Sequence, residues 1–197
     1  MALRENILTV SKTLLIKDGF GKLSMRKIAK KADVTATSIY LHFENKDELL
    51  LALIDDSIEK LKNRLSCAID SSKDLITQLE DLARIYIQFA IENPQEYEVI
   101  YMVRPEEMPK YPKENFDKIR SSFSLMAEII SKGKEENLLE VDDPKISAYS
   151  IWAQLHGIVS VILNKRLDTR IPRDKFIDQS IDHILQGIIN QKAPVQR

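Results

Sequence analysis

A chain of 197 residues, 44% apolar and 30% charged, is long enough to bury a core and too apolar for disorder. Only 5 glycines disfavour Gly-rich phosphate loops, and the one cysteine, Cys67, excludes a disulfide framework or a thiolate zinc cluster within the chain. Net charge is −1, yet residues 1–43 hold 8 basic side chains against 3 acidic ones, a local +5 that leaves −6 elsewhere. That asymmetry points to a polyanion-facing N-terminal module on an acidic body.

Before Pro94 the glycines are Gly19 and Gly21 alone, so the first half is expected to run helix after helix. Leu3, Ile7 and Leu14, with Leu8 and Leu15 beside them, recur at helical spacing and stop at Gly19. Ser24 stands at an N-cap ahead of Met25, Ile28, Ala29 and Ala32, the inward stripe of a short helix. The chain then turns at Asp33-Val34, and Thr35 caps a second short helix through Ile39 and Tyr40. Asn45 with Glu48 reads as a cap and its N3 glutamate, opening a long helix whose Leu50, Ile54, Ile58, Leu61 and Leu65 share one face. Further helices are expected over 73–92, 94–103, 114–137, 143–167 and 173–191, with Asp143-Pro144 as a cap followed by proline at the first helical position. Pro105, Pro109 and Pro112 make 104–113 a loop. No alternating run is long enough for a strand, and no internal repeat occurs. The expected fold is all-α with about nine helices. A three-helix module would occupy 1–48, a larger body 49–192 and a flexible tail 193–197.

Charges recur through the N-terminus, which carries no apolar stretch long enough for a signal peptide. Residues 146–164 are uncharged and approach the ~20 residues of a bilayer span. They include Ser147, Ser150, Gln154, His156, Ser160 and Asn164, which fits a helix buried in protein. A cytoplasmic protein without membrane contact is expected.

The informative segment is SMRKIAKKADVTATSIYLHF, from Ser24 to Phe43. Two short helices joined by a brief turn make a helix-turn-helix, whose second helix enters the major groove. Ala29 is small where the helices must approach, and Ile28, Val34 and Ile39 would fill the space between them. Thr35, Thr37 and Ser38 cluster at the start of the second helix, the end that meets base edges and phosphates. Arg26, Lys27, Tyr40, His42 and Lys46 suit phosphate oxygens, and Lys46 also lies at a helix N-terminus.

RENIL, the gap to Gly19-Phe20, and then SMRKIAKKADVTATSIYLHFENKDELLLALI resemble the N-terminal domain of the tetracycline-repressor (TetR) family. The most diagnostic part is Ile39-Tyr40-Leu41-His42-Phe43 followed by Lys46 and Leu49-Leu50. The resemblance implies a homodimeric regulator of transcription, usually a repressor that leaves its double-stranded operator when a small-molecule effector binds. Family positions that touch DNA fall on Ser24, Arg26, Thr35, Ala36, Thr37, Ser38, Tyr40, His42 and Lys46. The Tyr and His would hold phosphates, and the residues before Tyr40 would face bases. Two positions depart from the pattern. Asp33 stands where the turn usually has Gly, and Asp tolerates the left-handed conformation at modest cost. Thr37 replaces a second frequent Gly. Thr35, Ala36, Thr37 and Ser38 offer none of the Arg, Asn or Gln side chains that contact bases bidentately. Methyl contacts, Arg26 and DNA shape are therefore expected to supply much of the specificity.

Farther along, Trp152-Ala153-Gln154-Leu155-His156-Gly157 resembles a C-terminal subtype of this family with a Trp-x-x-x-His-Gly signature. Trp152 and His156 share a helix face, which fits either a pocket wall or a helix–helix contact. Family dimers usually pair the last two long helices, which here places the interface on Val159, Leu163, Ile177, Ile181, Ile184, Leu185 and Ile188. Candidate effector contacts are Tyr86, Phe89, Tyr97, Tyr101, Met102, Phe123, Met126, Trp152 and His156, a set suited to an apolar or aromatic ligand. Three histidines, one cysteine and no nucleotide or hydrolase motif leave no catalytic set, metal site or cofactor to expect. The competing reading is a helical small-molecule-binding protein without specific DNA binding.

Overall fold

The structure, a computed structural model, describes residues 3–102 and 113–191, the side chains of Phe20, Met102 and 113–122 apart. Among these residues it is all-α. The elements are α1 (Leu3–Asp18), α2 (Met25–Ala32), α3 (Ala36–Tyr40), α4 (Lys46–Ser66), α5 (Leu75–Glu92), α6 (Pro94–Met102), α7 (Lys113–Glu135), α8 (Pro144–Leu163) and α9 (Arg173–Gln186). The expected loop over 104–113 lies, but for its last residue, outside the described residues, as does the tail. Lys113 already opens α7. The chain gathers into two compact units, Met1–Lys60 with Asn93–Ile119, and Leu61–Glu92 with Arg120–Arg197. The first holds the three-helix module together with most of α4 and with α6, which packs on α1.

In the first unit the local signals act as the residues imply. Ile7, Leu8, Leu14 and Leu15 are the buried face of α1. Gly19 takes φ 78 and returns its N–H to the Leu15 carbonyl at 2.8 Å. An unforeseen 3-10 turn over Phe20–Lys22 leads to Ser24, whose Oγ accepts the Lys27 N–H at 3.3 Å and caps α2. Ile28 and Ile39 are fully buried and Ala29 nearly so, each isoleucine contributing about 1.5–3 kcal/mol by leaving water. Val34 is only half-buried.

Asp33 ends α2 in the left-handed region (φ 57, ψ 47), and its N–H and that of Val34 both reach the Ala29 carbonyl. A carboxylate there also meets the negative end of the α2 dipole. Asp33→Gly is expected to stabilise the protein by about 0.5–1 kcal/mol, because relief of left-handed strain and repulsion exceeds the entropy that glycine adds to the unfolded chain. Thermal unfolding reads this as a raised Tm; a lowered Tm would show that the Asp33 carboxylate makes a compensating contact.

In the second unit α5 packs on α8 and α9, which also pack on each other. Arg84 of α5 pairs with Glu80 and reaches Asp178 of α9. Helix α5 starts at Leu75, later than the expected residue 73, because the Asp74 carboxylate accepts the Thr77 N–H at 2.9 Å and caps it. Helix α8 is long and apolar enough to cross a membrane by composition alone. Only one face of it, Ala148, Ile151, Leu155, Ile158 and Val159, is buried, 28% of its most apolar window, so it is less buried than its composition led one to expect. It ends at Leu163 and not at 167, since Lys165 turns left-handed (φ 54) and Arg166 donates to the Val161 carbonyl at 2.9 Å. Helix α9 stops at Gln186 instead of continuing to 191. Beyond Gly187 the chain runs antiparallel to 138–140, with Glu140 N–H on the Ile188 carbonyl (2.8 Å) and Asn190 N–H on that of Leu138 (2.9 Å). Ile188 therefore leaves the helical stripe on which it was expected.

Candidate nucleic-acid interface and effector groove

Thr35, extended at φ −78 and ψ 153, caps α3 by accepting the Ser38 N–H at 3.1 Å, and the Thr35 and Ser38 hydroxyl oxygens lie 2.8 Å apart. After α3 the His42 and Phe43 N–H groups both reach the Ile39 carbonyl (2.9 and 3.0 Å), which turns Phe43 inward to 2% exposure. The Arg4 guanidinium lies 5.4 Å from the centre of the Phe43 ring, within cation–π range. Asn45 Oδ1 accepts the Glu48 N–H at 2.9 Å, while the Glu48 carboxylate accepts from the Glu44 N–H, one residue earlier than in a simple capping box.

Of the DNA-facing candidates, Ser24, Arg26, Lys27, Thr35, Thr37, Tyr40 and His42 are exposed, and Ala36, Ser38 and Lys46 are half-buried. Leu41 escaped the sequence reading. It is 81% exposed, the most exposed large apolar side chain among the described residues. Its signal was its spacing, two residues after buried Ile39 and four after Thr37. Lys27 Nζ lies 2.6 Å from Asp18 Oδ2, and that hydrogen bond holds the Asp18 carboxyl below its ordinary pKa. Lys27 therefore meets a phosphate with part of its charge already offset by Asp18.

Lys12 is one of the 8 basic residues that make the N-terminal segment positive, yet it is buried. It is 6% exposed. Its Nζ lies 2.8 Å from Glu96 Oε1 and 3.5 Å from Asp56 Oδ2. Lys60 closes the group at 2.9 Å from Asp56 and 3.1 Å from Glu96. Burial alone would lower the Lys60 pKa; the hydrogen bonds to Asp56 and Glu96 outweigh it and raise the pKa above the usual lysine value. Four charges thus join α1, α4 and α6.

The aromatic candidates divide between the two units. Tyr97 and Tyr101 pack against each other in the first, with ring centres 4.8 Å apart and the rings tilted by 55°, and the Met102 side chain lies outside the described residues. In the second unit Trp152 Nε1 donates to the Tyr86 hydroxyl at 3.1 Å, and the Trp152 ring centre lies 5.1 Å from Phe123 and 5.3 Å from His156. Burial lowers the His156 pKa, so its imidazole is neutral at pH 7. Phe89 and Met126 are buried. Phe123 continues to Tyr149 (ring centres 5.3 Å apart), and these two with Ala127, Pro144 and Ala148 line a groove of about 730 Å³ between α7 and α8. Glu128, Asp143 and Lys145 also line it. Tyr149, 46% exposed, was missed although it stands three residues before Trp152. Among the interface candidates, Val159, Ile181, Ile184 and Leu185 are buried within the subunit, and Leu163 and Ile177 are half-exposed. No cluster of His, Cys, Asp and Glu among the described residues is suited to a metal.

The α2–turn–α3 geometry, with its capped and exposed second helix, is that of a helix-turn-helix protein. Residues 7–53 match the family described as bacterial regulatory proteins, tetR family, and residues 79–187 the tetracyclin repressor-like C-terminal domain. The chain belongs to the tetR family of bacterial regulatory proteins, which are DNA-binding regulators. It is 35% identical over 92 residues to an uncharacterised HTH-type transcriptional regulator of Haemophilus influenzae, covering 47% of this chain and about half, 49%, of that relative. It is 25% identical over 167 residues to the nucleoid occlusion factor SlmA of Vibrio cholerae, covering 82% of each. A solved structure of a protein of unknown function from Rhodococcus sp. RHA1 shares the fold, with a TM-score of 0.81 at 24% identity over 97% of each chain.

Proposed function

We propose that this regulator is a cytoplasmic repressor that grips a palindromic duplex operator as a homodimer and is released by a small apolar or aromatic effector. The observation that carries the reading is an exposed, hydroxyl-tipped α3 in the first unit, joined in one chain to an aromatic-walled groove in the second. Residues 1–48 act as the reading domain. Arg26, Tyr40, His42 and Lys46 hold phosphates, Ser24 and Lys27 join them, and Thr35, Ala36, Thr37 and Ser38 face bases. The effector sits against Phe123 and Tyr149, with Trp152 and His156 behind them in the Trp-x-x-x-His-Gly pattern, and with Tyr86, Phe89 and Met126 as backing. Tyr97 and Tyr101 serve the packing of the first unit.

Dimerisation through α8 and α9 is supported by an uncharged stripe on α8, where Ser150, Ala153 and Gly157 are exposed. A Cβ added at Gly157 would meet nothing within 4 Å in its own subunit. A mid-helix glycine costs about 1 kcal/mol relative to alanine, which a close-packed partner helix would offset. Leu163 and Ile177 flank this contact. A two-fold axis there would present two α3 helices to half-sites about 34–36 Å apart, or a multiple of it. Gly157→Leu is expected to convert the dimer to a monomer that keeps its helical circular dichroism; a variant that still sediments as a dimer would remove α8 from the interface.

Release requires that the effector bind one state better than the other, with α4 carrying the change between reading domain and groove. The test is a mobility-shift titration in salt on the DNA upstream of the gene encoding this chain. Specific binding abolished by Tyr40→Ala, and a salt slope reduced by about one in Lys46→Ala, support the repressor. Binding without sequence preference would favour a helical ligand-binding protein.

A further inference from the structure

Successive helical residues are about 100° apart around the axis, so the positions facing away from Ile39 are Thr37 and Leu41, at about 160–200° from it. Ile39 is fully buried, while Leu41 is 81% and Tyr40 53% exposed. Leu41 keeps helical angles (φ −69, ψ −19), and its N–H reaches the Thr37 carbonyl at 3.1 Å. Thr37 and Leu41 therefore stand one turn apart on the outermost ridge of α3, with Tyr40 on one flank and half-buried Ser38 on the other.

The chemistry of that ridge is mostly apolar. The Thr35 and Ser38 hydroxyls bond each other at 2.8 Å, and Thr35 Oγ1 also accepts the Ser38 N–H. Ala36 contributes a methyl, Thr37 a methyl and one hydroxyl, and Leu41 an isobutyl group. A lone exposed leucine on an ordinary surface needs no explanation, but this one crowns the helix that reads DNA. In the major groove the apolar mark on a base pair is the C5-methyl of thymine; the other marks are hydrogen-bond donors and acceptors. An isobutyl group pressed against those would leave them unpaired.

We propose that the Thr37–Leu41 ridge selects half-sites by the C5-methyl groups of thymine, and that Leu41 is a specificity-determining residue. The inference rests on the DNA-reading function above, and the experiment separates the two. Duplexes enriched from a randomised pool by the full-length protein are resynthesised with deoxyuridine in place of single thymidines. Their affinities are measured by fluorescence anisotropy for the native protein and for Leu41→Ala, whose unchanged Tm confirms folding. Loss of one read methyl is expected to weaken native binding about fourfold, the worth of one buried carbon. Leu41→Ala should lose affinity for the thymine duplex and match the native protein on the uracil duplex. Equal native affinity for both duplexes, or a Leu41→Ala loss of the same size on both, overturns methyl reading and leaves the regulator intact. A pool that never converges on a sequence overturns both.

Discussion

Glu96→Gln is expected to destabilise the protein by about 2–3 kcal/mol, by stripping the principal counter-charge from a buried ammonium group. Lys12 is 6% exposed and its closest carboxylate oxygen is Glu96 Oε1 at 2.8 Å. In the variant the remaining carboxylate is that of Asp56 at 3.5 Å, which Lys60 already engages at 2.9 Å. Removing one member of a buried pair costs about 3–5 kcal/mol when the other charge is stranded. The glutamine carbonyl can still accept a hydrogen bond, and Asp56 is partly solvated, so the expected loss falls somewhat below that range. Urea denaturation should show a lower midpoint with the same slope. Replacing both partners by apolar residues, Lys12→Met with Glu96→Leu, should recover most of the loss, since the desolvation cost then disappears with the charges. An unchanged midpoint in Glu96→Gln would mean that water, and not Glu96, satisfies Lys12.

Gly133→Ala is expected to cost up to about 2 kcal/mol, although alanine is the better helix former. Its Cβ would lie 2.6 Å from Leu139 Cδ1 and 2.8 Å from Leu139 Cγ, against an ordinary carbon contact of about 3.5–4.0 Å. Leu139 has little room to retreat. It is 3% exposed, its N–H is held by the Gly133 carbonyl at 3.0 Å, and it bridges to Ile189. Overpacking of this kind costs about 1–3 kcal/mol, from which the helical gain of about 1 kcal/mol is subtracted. Adding Leu139→Ala should make the glycine replacement harmless, since the clash is with that side chain. A raised Tm in Gly133→Ala alone would show that Leu139 turns aside freely.

The helix-turn-helix was legible because its signals are local. Ser24, Thr35 and Asn45 each cap the helix that follows, and Asp33 takes the left-handed turn required of it. What escaped depends on partners distant in sequence. Lys12 looks like a surface cation until Glu96 of α6 is placed beside it. The end of α9 depends on 188–190 pairing with 138–140, which no periodicity reports. Helical spacing could not divide the apolar stripe of α9 between its own core, which takes Ile181, Ile184 and Leu185, and a partner. Residue type likewise could not separate the tilted Tyr97–Tyr101 pair from the cluster around Trp152, nor show that Tyr149 stands exposed at the groove.

Sedimentation of the full chain with an enriched duplex, against an excess of unrelated DNA, decides whether paired α3 helices read successive major grooves. Two chains, or a multiple of two, on each enriched duplex and none retained by the unrelated DNA is the predicted result. A single chain per duplex, or equal retention by both DNAs, would contradict it.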